Sequence, residues 1–313
     1  MSTNRLATTP AKNKNDLKSR VNSFLLQKMK SGGFKKPTSK EADSFFPSFE
    51  VIKKKDSFEV YESAADFFDY LSAACPNTEF FLFGGMLRDL AIFGINGFNS
   101  DIDIVTVGDW PDVSRLLDKY GATKNKFGGY RLQVKDWDID IWNAEETWAI
   151  KNGFVHFDGI QSLQRTTILN WDSILMNWRT KEVICDEKYF DDINGRVLDV
   201  KLFENPDPEG MLVRILRHFH LKDAKKFSKR AIEYLTLLTN EIEFEDLNRR
   251  EKKSYGENII DEKEYSFFKG LKGLTWDEVK TLFGCESGEQ VEIVKDSFSK
   301  QRNLFDQPSS SVH

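Results

Sequence analysis

The sequence predicts an α+β fold in which a head domain, with a mixed and mostly antiparallel sheet, precedes an all-helical C-terminal domain. Two observations predict it. Up to about residue 205, short apolar or alternating segments bounded by glycine are interleaved with helical segments, as in a sheet packed with helices. From about residue 208 onward only helical patterns follow, at residues 210–238, 265–274, 275–284 and 289–302, and we expect no strands there.

Composition divides the chain further. Residues 1–55 are polar and carry 13 Lys and Arg against four Asp and Glu, which predicts a basic flexible leader with one short amphipathic helix in RVNSFLLQKM. The head is predicted at 56–205, a helical neck and body at 206–305, and a tail at 306–313. The leader can contact phosphates or can simply be solvated, and the sequence leaves both open.

Several classes of protein are excluded by the composition. No apolar run approaches the roughly 18 residues that cross a bilayer, and no secretory signal is visible, so we expect a cytoplasmic protein with no membrane contact. Cys75, Cys185 and Cys285 lie far apart, which indicates neither a disulfide framework nor a zinc ribbon.

Helices and strands alternate in the predicted head. Residues 61–75 show apolar side chains at helical spacing, namely Ala64, Phe67, Phe68 and Leu71. A short aromatic strand follows at 79–83 and ends in Gly84 and Gly85. Residues 112–121 fit another helix, which Gly121 would end.

Two pairs of aspartates lie on predicted strands. DIDIVTV, residues 101–107, alternates acidic and aliphatic residues, so that Asp101 and Asp103 share one strand face. Residues 130–142 predict a hairpin with its turn near residues 135 and 136, and its second strand carries Asp138 and Asp140 on one face. We therefore expect carboxylates from two strands in one sheet.

This pattern is typical of sites that transfer phosphoryl or nucleotidyl groups. Such sites use two divalent cations about 4 Å apart, and Mg²⁺ prefers hard oxygen ligands, which Asp101, Asp103 and Asp140 can supply. The diglycine lets the backbone approach a phosphate, and the helix predicted after it would direct its N-terminus at an anion. Arg88 can bind the triphosphate, or it can pair with Asp89 or another local acid and brace the turn.

The stretch GGMLRDLAIFGINGFNSDIDIV resembles the signature of the class II tRNA nucleotidyltransferase and bacterial poly(A) polymerase family, within the polymerase β superfamily. That signature runs GGxxRDxxxG, a short gap, and then DxD followed by aliphatic residues. The matching positions are Gly84, Gly85, Arg88, Asp89, Gly94, Asp101 and Asp103.

The resemblance implies roles for these residues. Asp101 and Asp103 would be catalytic metal ligands, with Asp140 as the third carboxylate and Asp138 as its rival. The implied nucleotide-binding residues are Gly84, Gly85, Arg88, Asp89, Arg165, Arg214 and Arg217. Two of these arginines come from LVRILRHFHLK, which is similar to a family helix, and Arg165 from QRTTILN; NWDSILM, residues 170–176, is an equally open counterpart of the same family element.

The predicted activity is the transfer of a nucleoside monophosphate from a nucleoside triphosphate, ATP or CTP, to an acceptor hydroxyl, with release of pyrophosphate and two Mg²⁺ ions as cofactors. The resemblance favours an RNA 3′ end as acceptor, in tRNA or another small RNA. Two alternatives stay open at this stage. The acceptor can be a protein or a small molecule, or the fold can serve as a nucleotide-binding or nucleic-acid-binding regulatory module without turnover.

Overall fold

The computed structural model describes residues 9–26, 63–98, 100–125, 127–134, 137–285 and 287–293. The chain divides into two compact units, Met1–Asn194 and Gly195–His313. The division therefore falls between Asn194 and Gly195, whereas the sequence predicted the change to helices near residue 205. The finer domain limits stay predictions.

The first unit is built on a seven-stranded sheet. Its strands are β1 (Thr78–Phe83), β2 (Ile102–Gly108), β3 (Thr123–Lys124), β4 (Tyr130–Val134), β5 (Trp137–Asn143), β6 (Ile174–Asn177) and β7 (Val183–Cys185). They lie in the order β3-β4-β5-β2-β1-β6-β7. The β2–β5 pair is parallel and the other neighbouring pairs are antiparallel, which confirms the mixed, mostly antiparallel sheet.

Three of the helices described in this unit begin at a residue whose side chain caps them. The helices are α1 (Lys14–Leu25), α2 (Ala64–Ala74), α3 (Gly85–Phe93), α4 (Trp110–Lys119), α5 (Trp148–Lys151) and α6 (Tyr189–Gly195), the last of which ends at the division between units. In α2, Ser63 and Asp66 form a capping box, and the four apolar residues predicted to share one face are all buried. Asp109 caps α4 through the backbone N–H of Asp112.

Part of the segment predicted as a basic flexible leader is helix α1. Its Leu17 and Val21 are fully buried, and the helix packs against α3. Arg20 donates hydrogen bonds to the carbonyl oxygens of Leu90 and Ala91 at the end of α3. This short segment folds because its apolar stripe finds a partner helix and its arginine satisfies carbonyls at a helix C-terminus. The remaining leader residues lie outside the described ranges.

One face of the sheet carries an apolar cluster that determines where a polar site can lie. Phe81 and Phe83 of β1, Val105 of β2, Trp142 of β5 and Leu175 of β6 pack together on this face. Residues from the chain between β5 and β7 pack against them from outside the sheet. The other side chains of β2 and β5 on this face therefore point toward the covering residues and not into solvent.

The second unit is mostly helical, as predicted. Its helices are α7 (Pro208–Leu221), α8 (Lys229–Glu241), α9 (Phe244–Tyr255), α10 (Glu262–Gly270) and α11 (Trp276–Leu282). Across the described ranges of both units, no helix combines the length and the apolar composition that a membrane span needs.

A small sheet corrects the expectation that this region lacks strands. It consists of β8 (Val197–Leu198), β9 (Lys226–Ser228) and β10 (Gln290–Glu292), in the order β10-β9-β8. The helix predicted at 289–302 is wrong at β10, because Val291 and Ile293 alternate with polar residues and are buried with a period of two. The rest of that predicted helix, from residue 294, lies outside the described residues.

Candidate functional site

A row of polar side chains crosses three neighbouring strands. Since β2 and β5 are parallel, Asp103 lies opposite Asp140. Since β4 and β5 are antiparallel, Arg131 lies opposite Asp140 on its other side. Directly paired residues direct their side chains to the same face. The structure thus brings together the acids of two predicted strands, with Phe83 beside Asp103 at the end of β1.

Arg131 holds the acids of this row together. Its Nε donates a hydrogen bond of 2.8 Å to Oδ1 of Asp140, and its Nη2 donates to Oδ2 of the same carboxylate. The same Nη2 lies 3.2 Å from Oδ2 of Asp101. One guanidinium therefore bridges carboxylates on β5 and at the start of β2, in the bidentate geometry that Arg and carboxylates favour.

These groups are largely withdrawn from solvent. Asp101, Asp103 and Asp140 are 6%, 9% and 1% exposed. Burial by itself would lower the pKa of Arg131, but the hydrogen bonds and charge of Asp140, together with the charge of Asp101, outweigh it, so the pKa lies above its usual value. Arg131 therefore keeps its charge throughout the physiological range.

The residues fit one magnesium ion better than the predicted pair. Both oxygens of Asp140 accept hydrogen bonds from Arg131, so a second ion at this carboxylate would have to compete with the guanidinium. No cluster of three or more His, Cys, Asp or Glu side chains that could hold a metal occurs in the described ranges. A single Mg²⁺ that arrives with a triphosphate needs only one or two protein carboxylates, and Asp101 and Asp103 can supply them.

The choice between Asp138 and Asp140 has a structural counterpart. Asp140 lies opposite Asp103 and is almost fully buried, whereas Asp138 lies opposite Gln133 and is partly exposed. Of the two acids, Asp140 is therefore the one in register with the β2 pair. Whether either takes part in catalysis stays a prediction.

The diglycine lies at the turn from β1 into α3. Gly84 adopts φ 62° and ψ −117°, a conformation that a side chain would strain. Its N–H donates to the carbonyl of Ile174. A Cβ at Gly85 would lie 3.4 Å from the Cβ of Ser100, the residue before Asp101. The backbone at the start of α3 thus passes beside the start of β2.

Arg88 and Asp89 lie inside the protein at this turn. Both are 0% exposed. Arg88 donates 2.9 Å from Nε to Asp89, and 2.6 Å from Nη1 to Asp172, which precedes β6. Of the two roles predicted for Arg88, this geometry favours bracing of the turn over contact with a triphosphate.

The structure also separates the two segments left open for one family element. NWDSILM, residues 170–176, supplies Asp172 and leads into β6 beside β1. Arg165 of QRTTILN ends a 3₁₀ helix, where its half-exposed side chain pairs with Asp158. Among the described contacts, Arg165 does not join the Asp101–Asp140 group.

Arg214 and Arg217 lie on α7 of the second unit and are both buried there. Arg217 donates 2.7 Å from Nη1 to Glu251 on α9, and its guanidinium lies 4.0 Å from the ring centroid of Tyr255. Glu251 also accepts the backbone N–H groups of residues 259 and 260. Arg217 thus ties α7 to α9, and its predicted contact with a nucleotide stays a prediction.

Sequence reasoning missed three residues of this region. Arg131 was included only within the hairpin predicted at 130–142, and Asp172 only within the segment NWDSILM. Ser100 was not considered, although its hydroxyl oxygen is buried beside Gly85 and has no hydrogen-bond partner within the described part of the chain. Strand parity was the available signal for Arg131, because it falls on the acid-bearing face once β4 is paired with β5.

Comparisons with known proteins return similar structures only. No protein-family model matches the chain, and no curated protein matches it. A CCA-adding enzyme in complex with CTP is 17% identical, with a TM-score of 0.47, over 70% of this chain and 53% of that one. The Thermotoga maritima CCA-adding enzyme complexed with tRNA is 18% identical, with a TM-score of 0.46, over 70% and 52%.

A third structure, a tRNA nucleotidyltransferase complexed with a primer tRNA and an incoming ATP analog, is 14% identical, with a TM-score of 0.45, over 68% of this chain and 66% of that one. The chain thus spans about half to two thirds of the length of these enzymes. At these identities and TM-scores the likeness carries no conclusion about this chain, and a function has to be supported by the site residues themselves.

Proposed function

We propose that this chain is a nucleotidyltransferase that moves a nucleoside monophosphate from a nucleoside triphosphate to an acceptor hydroxyl and releases pyrophosphate. The observation that carries the proposal is the parallel register of β2 and β5. It sets Asp103 directly beside Asp140, with Asp101 joined to them through Arg131, next to the glycine turn. Buried carboxylates gathered on one sheet face are costly unless they serve a cation or are neutralised.

The phosphates are proposed to lie against the turn at Gly84 and Gly85. The first backbone N–H groups of α3 point out of the N-terminal end of the helix, where they can donate hydrogen bonds to an anion, because Gly84 supplies no side-chain cap. The buried hydroxyl of Ser100 lies beside this backbone and can donate one further hydrogen bond. Arg88 supports the same turn from inside through Asp172.

Asp101 and Asp103 are the proposed protein ligands of one Mg²⁺ that enters with the nucleotide. When bound, this ion would neutralise phosphate charge and lower the barrier to attack on the α-phosphorus. The acceptor hydroxyl then gives its proton to water while its oxygen forms a bond to that phosphorus, the bond between the α-phosphorus and the oxygen bridging to the β-phosphate breaks, and pyrophosphate leaves. Asp140 is proposed to be held in place by Arg131 while this occurs.

The acceptor and nucleotide follow from the sequence resemblance. We propose an RNA 3′ end, in tRNA or another small RNA, and ATP or CTP as the donor. An acceptor hydroxyl on a protein or small molecule would use the same chemistry, and the labelling experiment below separates these acceptors.

A second candidate function is a nucleotide-binding module without turnover. The observation that favours it is the ion pair between Arg131 and Asp140, because it engages both oxygens of the carboxylate predicted to be the third catalytic acid. Such a module would bind a triphosphate in the presence of Mg²⁺ and would form no product.

The test is transfer of label from each of four α-labelled triphosphates in the presence of Mg²⁺ and total RNA, followed by nuclease or protease digestion. Label released by nuclease alone supports an RNA acceptor. The double variant Asp101→Asn and Asp103→Asn should lose transfer, whereas Asp118→Asn, an exposed acid on α4, should keep it. Product from the double variant at the wild-type rate would contradict the assignment, and binding without product would support the second candidate.

A further inference from the structure

The guanidinium of Arg131 lies where a bridging cation would be expected. It is on β4, directly opposite Asp140 on β5, and it reaches past that residue to Asp101 at the start of β2. In a two-metal site, the second metal ion would contact carboxylates from two strands. In this chain the guanidinium of Arg131 makes those contacts instead.

A metal ion would compete with Arg131 for the oxygens of Asp140. Mg²⁺ binds carboxylate oxygen at about 2.0–2.1 Å, and both oxygens of Asp140 already accept hydrogen bonds from Nε and Nη2. The bidentate guanidinium also offsets the negative charge of Asp140, so this carboxylate attracts a second cation weakly. A metal ion on Asp140 would therefore have to share both oxygens with the guanidinium or displace it.

Departure of the guanidinium is unfavourable. The Arg131 side chain is 13% exposed and that of Asp140 is 2% exposed, so separation would strip two hydrogen bonds from a buried carboxylate. The planar guanidinium of Arg131 also donates from two nitrogens to this carboxylate at once, which a lysine ammonium does not do. The Arg131–Asp140 ion pair is thus a structural component of the site.

We propose that Arg131 is the second cation of this site, so that the chain takes a nucleoside triphosphate with a single divalent ion at Asp101 and Asp103. The proposal rests on the proposed function for the identity of the nucleotide. Arg131 is a positioning residue in this account, since it acts on Asp140 and Asp101 and not on the reacting atoms. Asp140 neutralises Arg131 and is not a metal ligand.

The experiment counts bound Mn²⁺ by electron paramagnetic resonance, with the full chain and with α,β-methylene ATP or its CTP counterpart. Wild type is expected to bind one Mn²⁺ per bound analogue, without spin coupling to a second ion. Arg131→Gln is expected to gain one further Mn²⁺, spin-coupled to the first, with at least about tenfold higher affinity than any second ion shows in wild type. Asp140→Asn in the wild-type background is expected to leave the count at one.

Two coupled Mn²⁺ ions in wild type, a lower count in Asp140→Asn, or no gained ion in a folded Arg131→Gln would each overturn the proposal. Circular dichroism establishes whether Arg131→Gln folds. If it does not, the wild-type and Asp140→Asn counts decide the matter. The same titrations without nucleotide separate this proposal from the proposed function. A chain that binds no analogue refutes the function, while a Mn²⁺ site gained by Arg131→Gln alone still supports the role of Arg131.

Discussion

Replacement of Arg88 by methionine distinguishes a brace from a phosphate ligand. The change keeps most of the length of the side chain and removes its charge. It leaves Asp89, which is fully buried, and Asp172, whose side chain is 6% exposed, without the guanidinium that pairs with both. Removal of one partner from a buried ion pair costs about 3–5 kcal/mol, because the remaining charge stays buried.

The loss of stability can be followed in the full chain with a probe that reports chiefly on the first unit. Six of the seven tryptophans precede residue 195, so tryptophan fluorescence during urea unfolding reports chiefly on that unit. For a unit of this size, each kcal/mol corresponds to a change in melting temperature of about 2–4 °C. Arg88→Met should therefore melt roughly 6–20 °C below wild type, from the same range of free energies.

Arg115→Met is the matched control. Arg115 lies on α4, its side chain is 77% exposed, and it pairs with Asp112 at a spacing of three residues. Loss of such a surface pair should change the free energy of unfolding by less than about 0.5 kcal/mol. A structural role for Arg88 is contradicted if Arg88→Met unfolds within about 1 kcal/mol of wild type but loses affinity for a triphosphate. That outcome would assign Arg88 to the phosphates.

Three further predictions concern stability and titration. Leu17→Ala should lower the free energy of unfolding in urea by about 2–5 kcal/mol, because the side chain is fully buried. Ser23→Ala, at an exposed position of the same helix, should leave it almost unchanged. Equal urea midpoints for the two variants would mean that α1 does not pack on the rest of the first unit. Gly84→Ala should cost about 1–3 kcal/mol because of its positive φ, and a wild-type midpoint would contradict this. Burial lowers the pKa of Lys181 from 10.5 to about 8, with repulsion from Lys18 adding to it and Asp69 opposing it, so its acetylation rate should reach half its plateau near pH 8. The unfolded state binds this proton more tightly, so the contribution of Lys181 to stability should rise from pH 8 toward 10.5, and an acetylation midpoint near the usual lysine value would contradict the assignment.

Local patterns were sufficient for the elements that frame the site. The stripe of apolar residues in α2, the aromatic run of β1 before its glycines, and the alternation in β2 each encode one element within a few residues. The second strand of the predicted hairpin is β5, and its turn residues 135 and 136 lie outside the described ranges. These elements are readable because their periodicity and their terminators are local.

Long-range pairing was not readable in the same way. Nothing in DIDIVTV states that β2 pairs with β5 in parallel, so the register that sets Asp103 beside Asp140 could only be expected from the resemblance. Arg131 was not singled out, because alternation gives the parity of a strand but not which face is covered. β10 was taken for a helix because EQVEIV is short enough to satisfy either period.

The sequence pattern singled out the acids of the candidate site, and it did not single out Arg131. The family resemblance implied that Arg88 and Asp89 bind the nucleotide. In the structure both are buried, and Arg88 forms ion pairs with Asp89 and with Asp172. The partner that closes this network lies 84 residues away from Arg88 along the chain, beyond the reach of any local pattern. The partner of a buried charge that lies far away along the chain can therefore be identified only from the tertiary structure.

The most direct test is a crystal structure of the full chain with Mn²⁺ and α,β-methylene ATP, read through the anomalous signal of manganese. We expect one manganese peak at Asp101 and Asp103, phosphates against the turn at Gly84, and Arg131 still paired with Asp140. A second manganese peak on Asp140 with Arg131 displaced, or a nucleotide bound away from this turn, would contradict this expectation.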